Sequence, residues 1–180
     1  APSATPASVC AGATLHLNAE PVAGGTYSWR GPGGFTSTLQ NPSIANAQAT
    51  NSGQYCLVVT LSGCPSPEIC VTATVKPLPV VTVSPPTVTV FVGQTIQLGA
   101  SDGAGATFSW TGPNGFTSTL QNPSIPNAQA INAGQYCVTA TVDACPSQPV
   151  CVPVVVIPPP IVTNNGPICE GAALQLSVST

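Results

Sequence analysis

The strongest constraint on this chain is that its sequence is written twice. The stretch from Thr26 to Cys56 reads Thr26, Tyr27, Ser28, Trp29, Arg30, Gly31, Pro32, Gly33, Gly34, Phe35, then Gln40, Asn41, Pro42, Ser43, Ile44, and ends Gly53, Gln54, Tyr55, Cys56. Trp110, Gly112, Pro113, Gly115, Phe116, Gln121, Asn122, Pro123, Ser124, Ile125, Gly134, Gln135, Tyr136 and Cys137 each lie 81 positions after a counterpart. A fixed period of this kind defines the folding unit before any local propensity is weighed. The 180 residues divide accordingly into a first repeat over 1–79, a second over 80–160 and the opening of a third over 161–180. In that last stretch Cys169, Gly171, Leu174 and Leu176 repeat Cys10, Gly12, Leu15 and Leu17 at a spacing of 159.

Within each repeat the local signals are those of short strands. Residues 3–11 and 80–92 read as edge strands, because Pro6, Pro85 and Pro86 cannot donate to a central ladder. Thr14 to Ala19 and Thr95 to Ala100 alternate polar with apolar, the period of a strand with one buried face. A glycine-rich turn then leads to the tryptophan strand, whose indole is expected to cross between two sheets. Gly31 to Gly34 and Gly112 to Gly115 carry hairpin chemistry. Ile44 to Ala47 reads as a further strand, and Tyr55 to Leu61 and Glu68 to Val75 as two more, joined by a Gly-Cys-Pro turn. Seven or so short strands with turns every 8 to 12 residues predict an all-β sandwich, and no segment has helical periodicity.

At this level the residues resemble immunoglobulin-like modules. The pattern is Gly12, Leu15, Leu17, Trp29, Ile44, Asn46, Ala47, Asn51, Gly53, Tyr55, and again Gly93, Ile96, Leu98, Trp110, Ile125, Asn127, Ala128, Asn132, Gly134, Tyr136. The wording is most similar to tandem immunoglobulin-like or PKD-like modules of large secreted Bacteroidota-type surface and adhesin proteins. The resemblance implies tandem β-sandwiches, with Trp29 and Trp110 in the cores and Tyr55 and Tyr136 as tyrosine corners. Function is poorly specified by it. In one respect the chain departs from the family: the places of the buried inter-sheet disulfide hold Ala19 with Leu57 and Ala100 with Val138.

The cysteines lie elsewhere. Cys56 and Cys70 are equidistant from a turn at residue 63, as Cys137 and Cys151 are from residue 144, so each pair is expected to face across a hairpin and bridge. Cys10, Cys64, Cys145 and Cys169 remain, with Phe91 standing where the second repeat would have its Cys10 equivalent. Two pairings use all four. Either Cys10 joins Cys64 and Cys145 joins Cys169, or head-to-tail stacking sets Cys10 against Cys145 and leaves Cys64 for Cys169 of another chain. Twenty residues of a third repeat cannot close a sandwich. They read either as a window on a longer array or as a strand donated to a neighbouring module or subunit.

Composition narrows the function. Eight cysteines with one histidine favour disulfides over metal ligation and an extracellular, cell-surface location. The start at Ala1, Pro2, Ser3 reads as a mature or trimmed end. Only 4% of residues are charged, Arg30 and Lys76 being the only cations, so no basic face is offered to nucleic acid or anionic lipid. No apolar run approaches the ~20 residues of a membrane helix. His16 reads as a surface residue, and Glu20, Glu68, Asp102, Asp143 and Glu170 are scattered, without the fixed pair that hydrolysis requires. Asp102 before Gly103 reads as a turn and not as a calcium ligand. No phosphate loop, nucleophile elbow or zinc spacing occurs, so neither catalysis nor a cofactor is expected.

What is left is a structural protein: an extracellular stalk, adhesin segment or filament subunit. Pro77, Leu78, Pro79 and Pro158, Pro159, Pro160 make stiff linkers that hold successive modules extended. A surface with so little charge favours self-association into a homopolymer. The alternative is a carbohydrate- or protein-binding module, which requires an exposed aromatic patch drawn from only nine aromatic residues.

Overall fold

The computed structural model describes residues 3–5, 8–101, 105–164, 173 and 175–179. The chain divides into two compact units, Ala1–Leu78 and Pro79–Thr180, so residues 161–180 fall within the second. Glu170 and Asp102 lie outside the described residues, as does Cys169.

The first module is built from β1 (Ser3–Thr5), β2 (Ser8–Cys10), β3 (Leu15–Asn18), β4 (Gly25–Arg30), β5 (Thr36–Ser37), β6 (Ser43–Ile44), β7 (Gly53–Leu61), β8 (Cys64–Pro65) and β9 (Ile69–Lys76). One sheet has the order β1-β3-β6 and the other β2-β9-β7-β4-β5, with β8 on β7. The second module repeats the plan with β10 (Thr82–Val83), β11 (Val88–Phe91), β12 (Ile96–Gln97), β13 (Ala100–Ser101), β14 (Thr107–Thr111), β15 (Thr117–Ser118), β16 (Ser124–Ile125), β17 (Gly134–Val142), β18 (Cys145–Pro146) and β19 (Val150–Ile157). Its large sheet runs β11-β19-β17-β14-β15, opposed by the pairs β10-β13 and β12-β16. These are two all-β, immunoglobulin-like sandwiches in tandem.

The opening stretch of each repeat, expected as one edge strand, serves both sheets. β1 pairs antiparallel with β3, whereas β2 pairs parallel with β9 in the opposite sheet. In the second module β10 and β11 divide in the same way, separated by a cis Ser84–Pro85 bond. The expected strand over Ile44 to Ala47 stops after Ile44, because Asn46 takes a left-handed φ of 50°. Ala47 still closes the corner, accepting from the Gly12 amide at 2.8 Å and donating to the Ala13 carbonyl at 2.9 Å.

Alternation along β3 puts Leu15 and Leu17 inside and His16 in water. They meet Trp29, Tyr55, Leu57, Ala73 and Val75, and the second core assembles Ile96, Leu98, Trp110, Tyr136, Val138, Val152 and Val154 in the same way. Each indole is 1% exposed or less. Burying roughly 200 Å² of ring at about 25 cal/mol per Å² contributes on the order of 5 kcal/mol per tryptophan before entropy is counted. The repeated Gln-Asn-Pro wording holds the loop beside the indole. Gln40 Nε2 donates to the Ala19 carbonyl at 2.8 Å and the Ala19 amide donates to Asn41 Oδ1 at 3.0 Å, with Gln121 and Asn122 doing the same for Ala100.

The tyrosines close the other side. Tyr55 Oη donates to the Asn51 carbonyl at 2.7 Å and Tyr136 Oη to the Asn132 carbonyl at 2.9 Å, four residues upstream in both cases. Phe35 and Phe116 stand edge-on to these rings, with centroids 5.4 and 5.3 Å away. Gly31 and Gly112 are required here because a Cβ at either position would overlap the tyrosine ring.

Candidate functional site

Two features stand apart from this framework: the cysteine-bearing hairpin at one end of each module, and the strand pair that follows the second module. The hairpin comes from the antiparallel pairing of β7 with β9, and of β17 with β19, which sets Cys56 opposite Cys70 and Cys137 opposite Cys151. Both pairs are bridged, with Cα atoms 4.0 Å apart. Beyond the bridge the chain folds back through β8 or β18, and Ser62 and Gly63, or Asp143 and Ala144, turn it with positive φ.

The tips of the two hairpins differ. Cys64, on β8, is exposed and carries a free thiol, so it does not pair with Cys10 within the chain. That corrects the first of the two pairings drawn from sequence. Cys64 sits on an outward-facing two-residue strand whose neighbour across the ladder, Leu61, is itself exposed. Cys10 is disulfide-bonded, as is Cys145, the buried counterpart of Cys64.

Beside the first hairpin lies a largely apolar groove of about 180 Å³ lined by Ala19, Glu20, Val22, Leu57, Val59, Ser66 and Ile69. Ala19 and Leu57, which stand at the places of the inter-sheet disulfide in immunoglobulin-like modules, both line it. Sequence reading missed it, although the repeat held a signal. Tyr27 faces this end in the first module, and Phe108 occupies its place in the second, where it is buried. A hydroxyl cannot be left dry, and Tyr27 turns its Oη outward, accepting from the Val22 amide at 2.8 Å and donating to the Glu20 carbonyl at 3.3 Å.

Among the described charged groups, Arg30 and Glu68 form an ion pair. Arg30 holds Glu68 through two hydrogen bonds of 2.5 Å, a bidentate pair that sequence reading also missed. The guanidinium lowers the Glu68 carboxyl below its ordinary range, and Glu68 raises Arg30 in return. Glu68 approaches Cys56 and Cys70 closely enough to suggest a three-ligand metal cluster, but both sulfurs are already joined to each other. Burial raises the Tyr55 and Tyr136 hydroxyls above the usual phenol range.

The second feature is β20 (Ile161–Asn164) paired antiparallel with β21 (Leu176–Ser179), and among the described residues neither strand joins a further one. Ile161, Val162, Leu176 and Val178 are each between 63% and 67% exposed. Neighbouring positions on a strand face opposite ways, so Val162, Leu176 and Val178 share one apolar face, while Ile161 stands on the other with Thr163 and Ser177, whose hydroxyls hydrogen-bond at 2.7 Å. Among the described residues, no helix is long and apolar enough to cross a membrane.

No protein-family model matches the chain, and no curated protein sequence does. Solved structures with related architecture exist. The three N-terminal domains of the bacteriophage RB49 Highly Immunogenic Outer Capsid protein match 99% of this chain and 67% of their own length, at 15% identity and a TM-score of 0.48. The N-terminal four immunoglobulin domains of Dscam1 isoform 6.9 match 83% at 17% identity and a TM-score of 0.39. The chain spans only 42% of that Dscam1 structure. Murine CEACAM1b matches 84% of this chain and 98% of its own, at 16% identity and a TM-score of 0.38. With each TM-score below 0.5, the immunoglobulin-like assignment rests on the strand order, the buried tryptophans and the tyrosine corners.

Proposed function

We propose that this chain is a structural segment of an extracellular filament, stalk or adhesin, made of disulfide-stapled immunoglobulin-like modules that associate with their own kind. The observation that carries this reading is the β20–β21 ribbon: among the described residues its two strands pair only with each other, and they expose four large apolar side chains. A two-stranded ribbon is marginal alone in water, and an apolar one lowers its free energy by adding to another sheet or core. The hairpin bridges, the further half-cystines Cys10 and Cys145 and the shortage of charge support a secreted or surface location. The proposed partner is a second copy of the chain, with neither nucleic acid nor a lipid bilayer involved.

The competing reading, a carbohydrate-binding module, requires an aromatic platform, and the nine aromatic residues leave none. Trp29, Trp110, Tyr55, Tyr136 and Phe108 are buried, Phe35 and Phe116 pack on the tyrosines, and Tyr27 is tied to its own turn. Phe91 alone stands out in water. The groove, at about 180 Å³, is also below the ~300 Å³ at which small-molecule pockets begin. Negative-stain electron microscopy across a concentration series tests the proposal: filaments or end-to-end strings are expected, and dispersed two-lobed particles at the highest concentration refute it.

A further inference from the structure

The two hairpin bridges occupy the same place in the repeat and are not equally covered. Cys56 and Cys70 face each other across β7 and β9, and Cys137 and Cys151 across β17 and β19. Tyr55 and Leu57, on either side of Cys56, point into the core, so the first bridge lies on the outer face of its sheet; Tyr136 and Val138 place the second bridge likewise. A residue on an outer face is expected to be wet. Cys137 is half-buried, yet Cys56 is only 7% exposed.

The cover over Cys56 is the Arg30–Glu68 pair. β7 lies between β4 and β9 in the sheet, and Arg30 on β4 stands directly opposite Cys56. Glu68 comes from the other flank, two residues before Cys70, and its carboxylate lies within 4.8 Å of both sulfurs. The two side chains therefore meet across β7 as a strap, fastened by two hydrogen bonds of 2.5 Å. In the second module the residues 81 positions on are Thr111, which stands opposite Cys137, and Pro149. Neither is charged, so no such strap forms from them.

We propose that the Cys137–Cys151 bridge is a site of thiol–disulfide exchange, opened by a small thiolate such as that of glutathione, and that the Arg30–Glu68 strap denies the same reaction to Cys56–Cys70. The proposal goes beyond the filament reading and does not depend on it. Exchange needs access to a sulfur, along the line of the bond to be broken. For Cys56 that line enters from the β4 side, where Arg30 stands; for Cys137 it passes the short side chain of Thr111. Attack on Cys70, which is exposed, brings one anion up to another, the Glu68 carboxylate. Arg30 does not compensate by stabilising a departing Cys56 thiolate, because its charge is already engaged by Glu68. Thr111 and Pro149 present neither obstacle.

The exchange balances with two thiols as reductant. A glutathione thiolate attacks the Cys137 sulfur, forming a mixed disulfide, and the Cys151 thiolate leaves and takes a proton from water. A second glutathione thiolate attacks the glutathione sulfur of that adduct, releasing the Cys137 thiolate, which is protonated in turn. Two electrons pass to the protein, and one molecule of oxidised glutathione is formed.

The test first blocks the exposed Cys64 thiol of the folded full chain with N-ethylmaleimide. Reduced glutathione in excess is then added, samples are quenched with an isotopically distinct maleimide, and each cysteine is followed by peptide mass spectrometry. Cys137 and Cys151 are expected to be modified about fivefold or more faster than Cys56 and Cys70, with glutathione adducts on Cys137 and none on Cys56. Glu68→Gln, which removes both the strap and the carboxylate, is expected to bring the first bridge to within about twofold of the second. Thr111→Arg/Pro149→Glu, which supplies the second module with the same pair, slows its bridge. Repeating the wild-type series in urea well below the unfolding transition separates attack on the folded bridge, whose rate stays level, from attack after opening, whose rate climbs. Equal rates at the two wild-type bridges overturn the proposal, as does a ratio left unchanged by Glu68→Gln. A contrast that appears only through the urea-sensitive route overturns it as well, since module stability then sets the difference.

Discussion

Opening the bridge between Cys137 and Cys151 with the double substitution Cys137→Ser/Cys151→Ser is expected to destabilise the second module by about 3 kcal/mol. The magnitude follows from the loop that the bridge closes. The two half-cystines are 14 positions apart, and a loop of about 15 residues removes close to 3 kcal/mol of conformational freedom from the unfolded chain at 25 °C. Little offsets it in the folded state. Five consecutive residue pairs, from Gly134 with Val154 to Val138 with Val150, hold the two strands in register without the sulfurs. Cys151 is exposed and Cys137 half-buried, so a serine hydroxyl at either place reaches water. In a domain of about 80 residues, 1 kcal/mol moves the melting temperature by roughly 4–8 °C, so the expected fall is about 12–24 °C. Differential scanning calorimetry of the whole chain reads it, and Cys56→Ser/Cys70→Ser is the reciprocal control for the first module. A fall under about 3 °C, or equal displacement of both transitions by either variant, refutes the unfolded-chain explanation.

Three further outcomes follow from the tyrosine corners. Tyr55→Phe removes a 2.7 Å hydrogen bond and strands the Asn51 carbonyl, so it is expected to cost the first module about 1–3 kcal/mol by urea titration. Gly112→Ala, at an extended φ of −164°, carries no backbone strain, but its Cβ overlaps the Tyr136 ring; a loss of about 1–3 kcal/mol is expected, restored in part by adding Tyr136→Leu. Both phenols have raised pKa values because burial disfavours the phenolate. Their contribution is therefore fully present below the unfolded pKa of about 10 and lost as the pH climbs past it. Stability is expected to fall above pH ~10, and the loss shrinks in the Tyr55→Phe/Tyr136→Phe variant when ultraviolet absorbance and circular dichroism are followed together.

Much of the architecture was legible because the repeat forces every local signal to appear twice. Trp29 and Trp110, Tyr55 and Tyr136, and the alternation Leu15, His16, Leu17 each declared a burial that the sheets then require. Less legible was the division of each opening strand between two sheets, since hydrophobic alternation reports which side chains face inward and not which edge supplies the hydrogen bonds. The early end of the strand at Ile44 depends on one backbone angle, at Asn46. The groove was hidden for a different reason. Its lining is made of ordinary core and edge residues such as Ala19, Leu57 and Ile69, and it stands out only when the exposed first tip is set beside the buried second one. Cys64 and Cys145 carry the same residue at the same place in the repeat, so nothing local distinguishes the free thiol from the bonded one.

The parallel pairing of β2 with β9, and of β11 with β19, has a mechanical consequence. Near its N-terminal end each module enters on one of these strands and leaves on the other, so tension applied along the polypeptide drags the two neighbours past one another lengthwise. Ser8 to Cys10 and Val88 to Phe91 would then resist through all their backbone hydrogen bonds at once, in shear, with no free end from which to peel them one by one. A tether made of such units stays short under a pull that would unravel a terminal hairpin, and its extension is governed by the rate at which these few bonds fail together.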